Sequence, residues 1–234
     1  MALSQIYRAH TLGAIAAALA CAPAGSKSGG SESTTVASTL TATSTASAVQ
    51  DSNVTKADLA RVEGSPNAPL WVIIVSDFQC PYCKQWHDRT YPALHDEYVK
   101  TGKARIAYVN FPLSSHAQAW PSAEAAMCAG AQGKFWQMQD AIFDTQERWA
   151  GSPTHAALFD SLAVGTGLDI ARWRSCIQSG QMKEIIRADY QRASSAGVRS
   201  TPTFLIGNEM LAGAHPIASF RRAIDSARPA PAAR

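Results

Sequence analysis

The chain has 234 residues and a formal net charge of +3 at pH 7, with 46% hydrophobic and 17% charged residues. This composition is that of an ordinary globular protein, and the residues after position 57 suffice for one well-buried domain. The sequence has no basic run and no basic face interleaved with aromatic residues, so it does not indicate nucleic-acid binding.

The first 20 residues have the pattern of a secretory signal peptide. A basic start precedes a mostly apolar stretch over residues 11–20, which is too short to cross a bilayer, since a crossing takes about 20 apolar residues. Leu19-Ala20-Cys21 resembles a bacterial lipobox, although Ala18 stands where an aliphatic residue is usual. We predict removal of residues 1–20 and a lipid anchor on Cys21. Cleavage at an Ala-x-Ala site, giving a soluble periplasmic or secreted protein, is the alternative.

Residues 21–57 consist mostly of Ala, Ser, Thr and Gly. Such a segment cannot bury enough apolar surface to offset its ordering entropy. We therefore predict a lipid-anchored disordered linker over residues 21–57, with a span of about 30 Å as a flexible coil. The folded domain is predicted over residues 58–228, followed by a frayed tail over residues 229–234.

The folded part begins with alternating strands and helices. A short edge strand is predicted at Ala60–Glu63, and a continuous β-branched and aromatic run predicts a buried strand at Leu70–Ser76. A helix over Pro81–Thr101, kinked at Pro92, precedes a further strand over Ala104–Pro112. This β-α-β order predicts a parallel pair of strands with a right-handed crossover.

The sequence from about residue 116 to 196 is predominantly helical. After it, Phe204–Ile206 and Glu209–Leu211 flank a two-residue turn, Gly207-Asn208, that is suited to a hairpin. A closing amphipathic helix is predicted over Ile217–Ala227. The fold class is therefore α/β with an inserted helical domain, whose predicted helices are Ala123–Gly130, Phe135–Phe143, Thr154–Val164, Asp169–Ser179 and Lys183–Ser195.

The motif with the clearest chemistry is Cys80-Pro81-Tyr82-Cys83, at the turn between a strand and a helix. Two cysteines at this spacing can close a small disulfide with little backbone movement. The free N–H groups and the dipole of the helix N-terminus favour a thiolate on Cys80. The motif predicts a site for thiol–disulfide exchange, in which Cys80, exposed at the helix N-terminus, attacks and Cys83 resolves the mixed disulfide.

A C-x-x-C pair is also half of many structural zinc sites, which need two further ligands. His87 could supply a third ligand, but the sequence has no second cysteine pair. Haem attachment needs a histidine directly after the second cysteine, where Lys84 stands. We expect neither a metal nor an organic cofactor, because the two sulfurs carry the electrons. A peptide- or metal-binding lipoprotein without turnover is the alternative.

A second motif, Ser200-Thr201-Pro202-Thr203, places a proline just before an apolar run. Proline is tolerated at the first residue of a strand, and an X-Pro bond there can be cis. Alone the pattern is weak, because most X-Pro bonds are trans and an ordinary strand start explains it.

Together the motifs resemble those of the DsbA-like branch of the thioredoxin superfamily. The resemblance implies a thioredoxin-like fold with a helical insertion at about 116–196. It also implies that Thr201 and Pro202 face Cys80 across the turn formed by Pro81 and Tyr82 and bind an extended client peptide. The residues that carry the resemblance are Asp77–Cys83, Ala126–Trp136, Gly197–Phe204 and Gly213–Pro216.

The resemblance further implies an exported enzyme whose partners are unfolded exported polypeptides and a membrane redox protein. We expect an oxidase on the periplasmic side of a bacterial membrane, with a client-specific reductase or isomerase as the alternative. One position departs from the pattern. Many relatives carry a buried glutamate six residues before the first cysteine, where this chain has Ile74. Asp77 is then the one acid on this approach to the cysteines.

The chain has five cysteines. One is assigned to the lipid and two to exchange, which leaves Cys128 and Cys176 in the helical insertion. Free thiols are unusual in exported proteins, and DsbA-like relatives sometimes carry a second disulfide at similar spacing. We predict a structural Cys128–Cys176 bridge, with two separate buried thiols as the alternative.

Several other side chains near these motifs receive structural interpretations. We expect His116 to take part in local helix capping and His215 to be structural. His87 is expected on the exposed face of the active-site helix, and Trp86 lies close enough to the cysteines to line the client surface.

Overall fold

The computed structural model describes residues 52–227. The predicted signal peptide, Cys21, most of the predicted linker and the C-terminal tail lie outside these residues. Residues 52–60 form a helix, α1, so the prediction of a disordered linker up to residue 57 was wrong at its end. Val54 and Ala57 fall on one face of this helix and pack against the hydrophobic core, which stabilises it.

The sheet has five strands in the order β1-β3-β2-β4-β5 among the described residues. They are β1 (Val62–Glu63), β2 (Leu70–Ser76), β3 (Ala104–Asn110), β4 (Thr203–Ile206) and β5 (Glu209–Ala212). β2 and β3 pair in parallel, and the other neighbours are antiparallel. The predicted crossover and hairpin are both present, and the α/β fold class with a helical insertion is confirmed.

Strand β2 is the centre of the sheet and leads into the cysteine motif. Its continuous apolar run fits a strand that is covered on both faces, and Val72 to Val75 are all at most 5% exposed. Ile74 pairs with Tyr108 of β3 on one side and with Phe204 of β4 on the other. The position at which relatives carry an acid is therefore apolar core in this chain.

The helix predicted over Pro81–Thr101 is interrupted. It is divided into α2 (Pro81–Arg89), α3 (Tyr91–Leu94) and a π-helical turn at His95–Val99. The cause is Pro92, which has no backbone N–H group to donate and whose ring clashes with the carbonyl four residues earlier. The sequence predicted a kink in one helix, whereas the structure has a break between two helices at Thr90.

Six helices between β3 and β4 form the insertion in the described part of the chain, and α10 (Ile217–Ser226) closes the fold. The first begins four residues before its predicted start, because Pro121 lies in its first turn, where a missing N–H group costs nothing. The short α6 was not predicted. The insertion comprises α4 (Ala119–Gly130), α5 (Phe135–Asp144), α6 (Gln146–Trp149), α7 (His155–Gly165), α8 (Ile170–Ser179) and α9 (Lys183–Ser195).

A buried ionic cluster holds the last helix of the insertion against the sheet. The fully buried Arg61 contacts the carboxylates of Asp58 and Asp189, and Asp189 also accepts hydrogen bonds from the backbone and side-chain nitrogens of Asn110 at 3.1 and 3.0 Å. Because buried charges need partners of this kind, the cluster fixes α9 beside β3.

Cys128 of α4 and Cys176 of α8 form a disulfide between residues 48 positions apart. This is the pairing expected from the sequence. Both residues are buried, so the bridge joins two helices of the insertion within its core.

We predict that replacing both cysteines with serine lowers the free energy of unfolding of the protein by up to about 4 kcal/mol, because the open chain gains loop entropy when it unfolds. Urea denaturation of the Cys128→Ser/Cys176→Ser variant and of the wild type, both under non-reducing conditions, measures this. An unchanged midpoint would mean that the bridge adds no stability.

Candidate active site

The cysteine motif begins at the N-terminus of α2. Cys80 is the N-cap residue, with extended backbone angles of φ −70° and ψ 123°, and Pro81 occupies the first turn. Proline suits this place because its fixed φ is helical and its missing N–H would have no partner there. A turn closed by a 3.1 Å hydrogen bond from Cys80 N to Asp77 O directs the chain from β2 into the helix.

The two thiols are free and unequal. Cys80 is 4% exposed and Cys83 is fully buried behind it. The prediction of an exposed Cys80 was wrong, since the loop that carries Thr201 covers its sulfur. The Cys80 thiol donates a hydrogen bond of 3.4 Å to the backbone oxygen of Thr201.

The pKa of Cys80 is lowered from 9.0 to about 6. The largest cause is a hydrogen bond from the Cys83 thiol, which stabilises the Cys80 thiolate. The Thr201 side chain and the backbone N–H groups of Cys83 and Tyr82 lower the pKa further. Burial acts in the opposite direction and raises it. The sequence analysis explained the Cys80 thiolate by the helix N-terminus alone. In the structure the hydrogen bond from Cys83 joins these N–H groups in stabilising the thiolate.

Burial raises the pKa of Cys83 well above its usual value, and the hydrogen bond to Cys80 and the charge on Cys80 raise it further. At neutral pH the outer sulfur is therefore a thiolate while the inner sulfur keeps its proton. Because the pKa of Cys80 lies below its unfolded value, ionisation stabilises the reduced folded state fully above pH 9, and this stabilisation is lost as the pH falls through about 6.

The loop before β4 faces the cysteines. The Thr201–Pro202 bond is cis, and both residues are buried. Among the described residues the hydroxyl of Thr201 has no hydrogen-bond partner other than the Cys80 sulfur, whose thiolate it stabilises. The carbonyl of Pro202 accepts a 2.7 Å hydrogen bond from Gly213 N, which ties this loop to the segment after β5.

The helical insertion supports the turn from the other side. Gln146 of α6 is buried, and its Nε2 donates to the carbonyl oxygens of Phe78 and Cys80 at 2.6 and 3.1 Å. Gln79 and Gln118 exchange a further pair of hydrogen bonds at 3.0 and 2.6 Å. Sequence reasoning missed these glutamines, because nothing in their local pattern relates them to residues 39 to 68 positions away.

Asp77 is held by three donors. Its carboxylate accepts hydrogen bonds from Gln79 N at 2.7 Å, Leu113 N at 2.9 Å and His116 Nδ1 at 2.7 Å. Burial raises the pKa of this carboxyl in spite of the three donors. The interpretation of His116 as a local cap was wrong, since its ring reaches back to the residue that follows β2.

The predictions of an exposed His87 and of Trp86 at the client surface were both wrong. His87 is 8% exposed, and its ring nitrogens bond to Asp88 at 3.1 Å and Asp140 at 3.0 Å. Trp86 is 4% exposed and packs against Phe204, so it belongs to the core and not to a client surface.

In the described part of the chain the two cysteines and His87 do not bring their ligand atoms together as a zinc set, and both nitrogens of this ring are hydrogen-bonded to carboxylates. His87, Asp88 and Asp144 do place possible metal-ligand atoms within 4.8 Å of one another in the described part of the chain. Tyr82 is the large apolar side chain exposed beside the cysteines, at 62%.

Comparison with known families agrees with this geometry. The model of a family described as thioredoxin matches residues 24–226. The chain therefore belongs to this thioredoxin family. It is a thiol–disulfide oxidoreductase, and its paired, inequivalent sulfurs fit that class.

A probable disulfide bond formation protein D of Bacillus anthracis is 26% identical over 170 residues, which cover 69% of this chain and 75% of that protein. A Na(+)/H(+) antiporter NhaA 1 of Salinispora arenicola is 32% identical over 171 residues, 73% of this chain but only 25% of that protein. The crystal structure of alpha-DsbA1 from Wolbachia pipientis has a TM-score of 0.63 at 22% identity and covers 70% of this chain and 88% of that one.

We predict that iodoacetamide labels Cys80 with a pH midpoint of about 6, because the thiolate is the reacting form. Peptide mass spectrometry after brief labelling of the reduced protein gives the profile, and Cys83 should remain unlabelled across the same range. A midpoint near 9, or equal labelling of both residues, contradicts the assignment.

Proposed function

We propose that the protein is a dithiol oxidase that introduces disulfides into exported client polypeptides through Cys80-Pro81-Tyr82-Cys83. The observation that carries this proposal is the lowered pKa of Cys80 beside the raised pKa of Cys83. A stabilised thiolate favours the reduced form of the pair, so the oxidised form is a strong electron acceptor.

The reaction begins from the Cys80–Cys83 disulfide. A client thiolate attacks the Cys80 sulfur, the bond between the two enzyme sulfurs breaks, and Cys83 departs and gains a proton. A second client thiolate then attacks the client sulfur of this mixed disulfide, and Cys80 leaves as a stable thiolate. The client has lost two electrons and gained a disulfide, and the enzyme holds both electrons as a dithiol. A membrane redox protein would accept them and reset the pair.

Client binding is assigned to the surface around Cys80. Tyr82 offers an exposed aromatic ring, and the loop of Thr201 and Pro202 places backbone groups beside the reacting sulfur. An extended client peptide can pair its backbone with such a segment in the manner of an added strand. The reaction needs no metal or organic cofactor, because the two sulfurs carry both electrons.

We expect the oxidised protein to form a disulfide in a reduced two-cysteine peptide, with one peptide oxidised per enzyme in a single turnover. Cys80→Ser should abolish this, because the attacked sulfur is gone. Cys128→Ser/Cys176→Ser is the matched control and should retain the activity, since that bridge lies in the insertion. Chromatography of the peptide thiols measures the yield.

The other candidate functions are separate outcomes of that experiment. Reduction of a disulfide peptide by the reduced enzyme, without oxidation of the dithiol peptide, would indicate a reductase. Rearrangement of a scrambled substrate would indicate an isomerase. Peptide binding without any change of its thiols would indicate a non-catalytic binding protein and overturn the proposal.

We also propose export and lipid anchoring through Cys21, with the redox domain on the periplasmic side of the membrane. The support is the basic and apolar start of the chain followed by Leu19-Ala20-Cys21. Within residues 52–227, no helix has the length and apolarity that a membrane crossing requires. An anchor before the folded domain is compatible with that observation.

We predict that Cys21→Ser moves the protein from the membrane fraction to the soluble fraction of the cell envelope, because the acylation site is lost. Fractionation and mass spectrometry of the mature N-terminus test this. A wild-type protein already in the soluble fraction, or a mature N-terminus other than residue 21, would show that there is no lipid anchor.

A further inference from the structure

Asp77 contacts both the inner sulfur and a partly exposed histidine. Its backbone N–H points to Cys83 Sγ at 3.5 Å, and its carboxylate binds His116 Nδ1 at 2.7 Å. The side chain of Asp77 is fully buried, whereas that of His116 is 22% exposed. The pair thus connects the surroundings of a buried thiol with water.

Cys83 needs such a connection. It is fully buried, and it must lose a proton when it attacks a mixed disulfide and gain one when it leaves the enzyme disulfide. The position six residues before Cys80, where the resemblance predicts a buried acid, is occupied in this chain by the buried, apolar Ile74. A different group must therefore exchange the proton of Cys83.

The titratable groups around Asp77 leave few alternatives. Cys80, Cys83 and Tyr108 lie on the buried side, and His116 lies on the solvent side. Burial raises the pKa of Tyr108 well above its usual value, so this ring does not act as a base at neutral pH. Burial also raises the pKa of the Asp77 carboxyl, which makes it a better base than an exposed aspartate.

We propose that Asp77 is the acid–base group for Cys83 and that His116 is its positioning residue, connecting it to solvent. The inference rests on the proposed exchange function and concerns its second sulfur. In the resolving step the Cys83 thiol gives its proton to the Asp77–His116 pair. Its sulfur then bonds to Cys80, and the former partner of Cys80 leaves as a thiolate. In the opposite direction the pair returns the proton to the departing Cys83.

The two sulfurs can be observed separately with 5,5′-dithiobis(2-nitrobenzoate). Cys80 of the reduced protein attacks the reagent and releases one nitrothiolate, and Cys83 then displaces the second nitrothiolate. The first phase tests the proposed function, and the second phase tests Asp77 and His116. Stopped-flow absorbance over a range of pH values resolves both phases.

We expect His116→Gln to leave the first phase unchanged and to slow the second phase roughly tenfold, the effect of losing one hydrogen bond to a charged group. The second-phase rate of the wild type should level off once the Asp77 carboxyl is deprotonated, whereas that of the variant should keep rising with pH. Asp77→Asn, which keeps an oxygen for the Gln79 N–H, should behave in the same way. His155→Gln is the matched control, because its ring hydrogen-bonds the Ser152 carbonyl at 3.0 Å and packs against Phe159 of its own helix, with no contact to Asp77.

A wild-type second-phase rate and pH profile in either His116→Gln or Asp77→Asn overturns the inference alone. The absence of a first phase in the wild type overturns the proposed function, and the inference with it. Because the pH profile is compared between folded variants, a general loss of stability would not reproduce the expected result.

Discussion

The hydrogen bond between the two active-site sulfurs is the interaction on which the chemistry of this protein depends. It is the largest of the interactions that lower the pKa of Cys80 to about 6, and it helps to raise the pKa of Cys83. The proton of this hydrogen bond stays on Cys83. The outer sulfur is therefore a thiolate and the inner sulfur is a thiol. This asymmetry requires the two side chains to be held at a fixed separation, and much of the fold serves that purpose.

Support for the turn comes from three directions. Strand β2 fixes its start through pairing on both edges, the loop of Thr201 covers the outer sulfur, and Gln146 of the insertion holds the carbonyl of Cys80. The insertion is in turn fixed to the sheet by the cluster around Arg61. The inserted helices are thus part of the active site as well as a cover over the core.

Sequence reasoning reached those features that local pattern determines. Strand β2 is visible as an apolar run, the cysteine motif as a turn before a helix, and the Cys128–Cys176 pairing through resemblance. It failed where a contact joins distant segments. His116 lies 39 residues from Asp77, and Gln146 lies 66 residues from Cys80, so neither has a local pattern that reveals its partner. The composition of residues 52–60 resembles that of a linker. These residues are nevertheless helical, because Val54 and Ala57 pack against the hydrophobic core.

The equilibrium redox potential of the Cys80/Cys83 pair tests the central claim most directly. The stabilised thiolate requires a potential near or above the value of about −180 mV found for protein disulfide isomerase. Equilibration with glutathione mixtures, followed by quantification of the free Cys80 thiol, gives this value. A potential close to about −270 mV, as in thioredoxin, would contradict the account, since the reduced pair would then have no special stability.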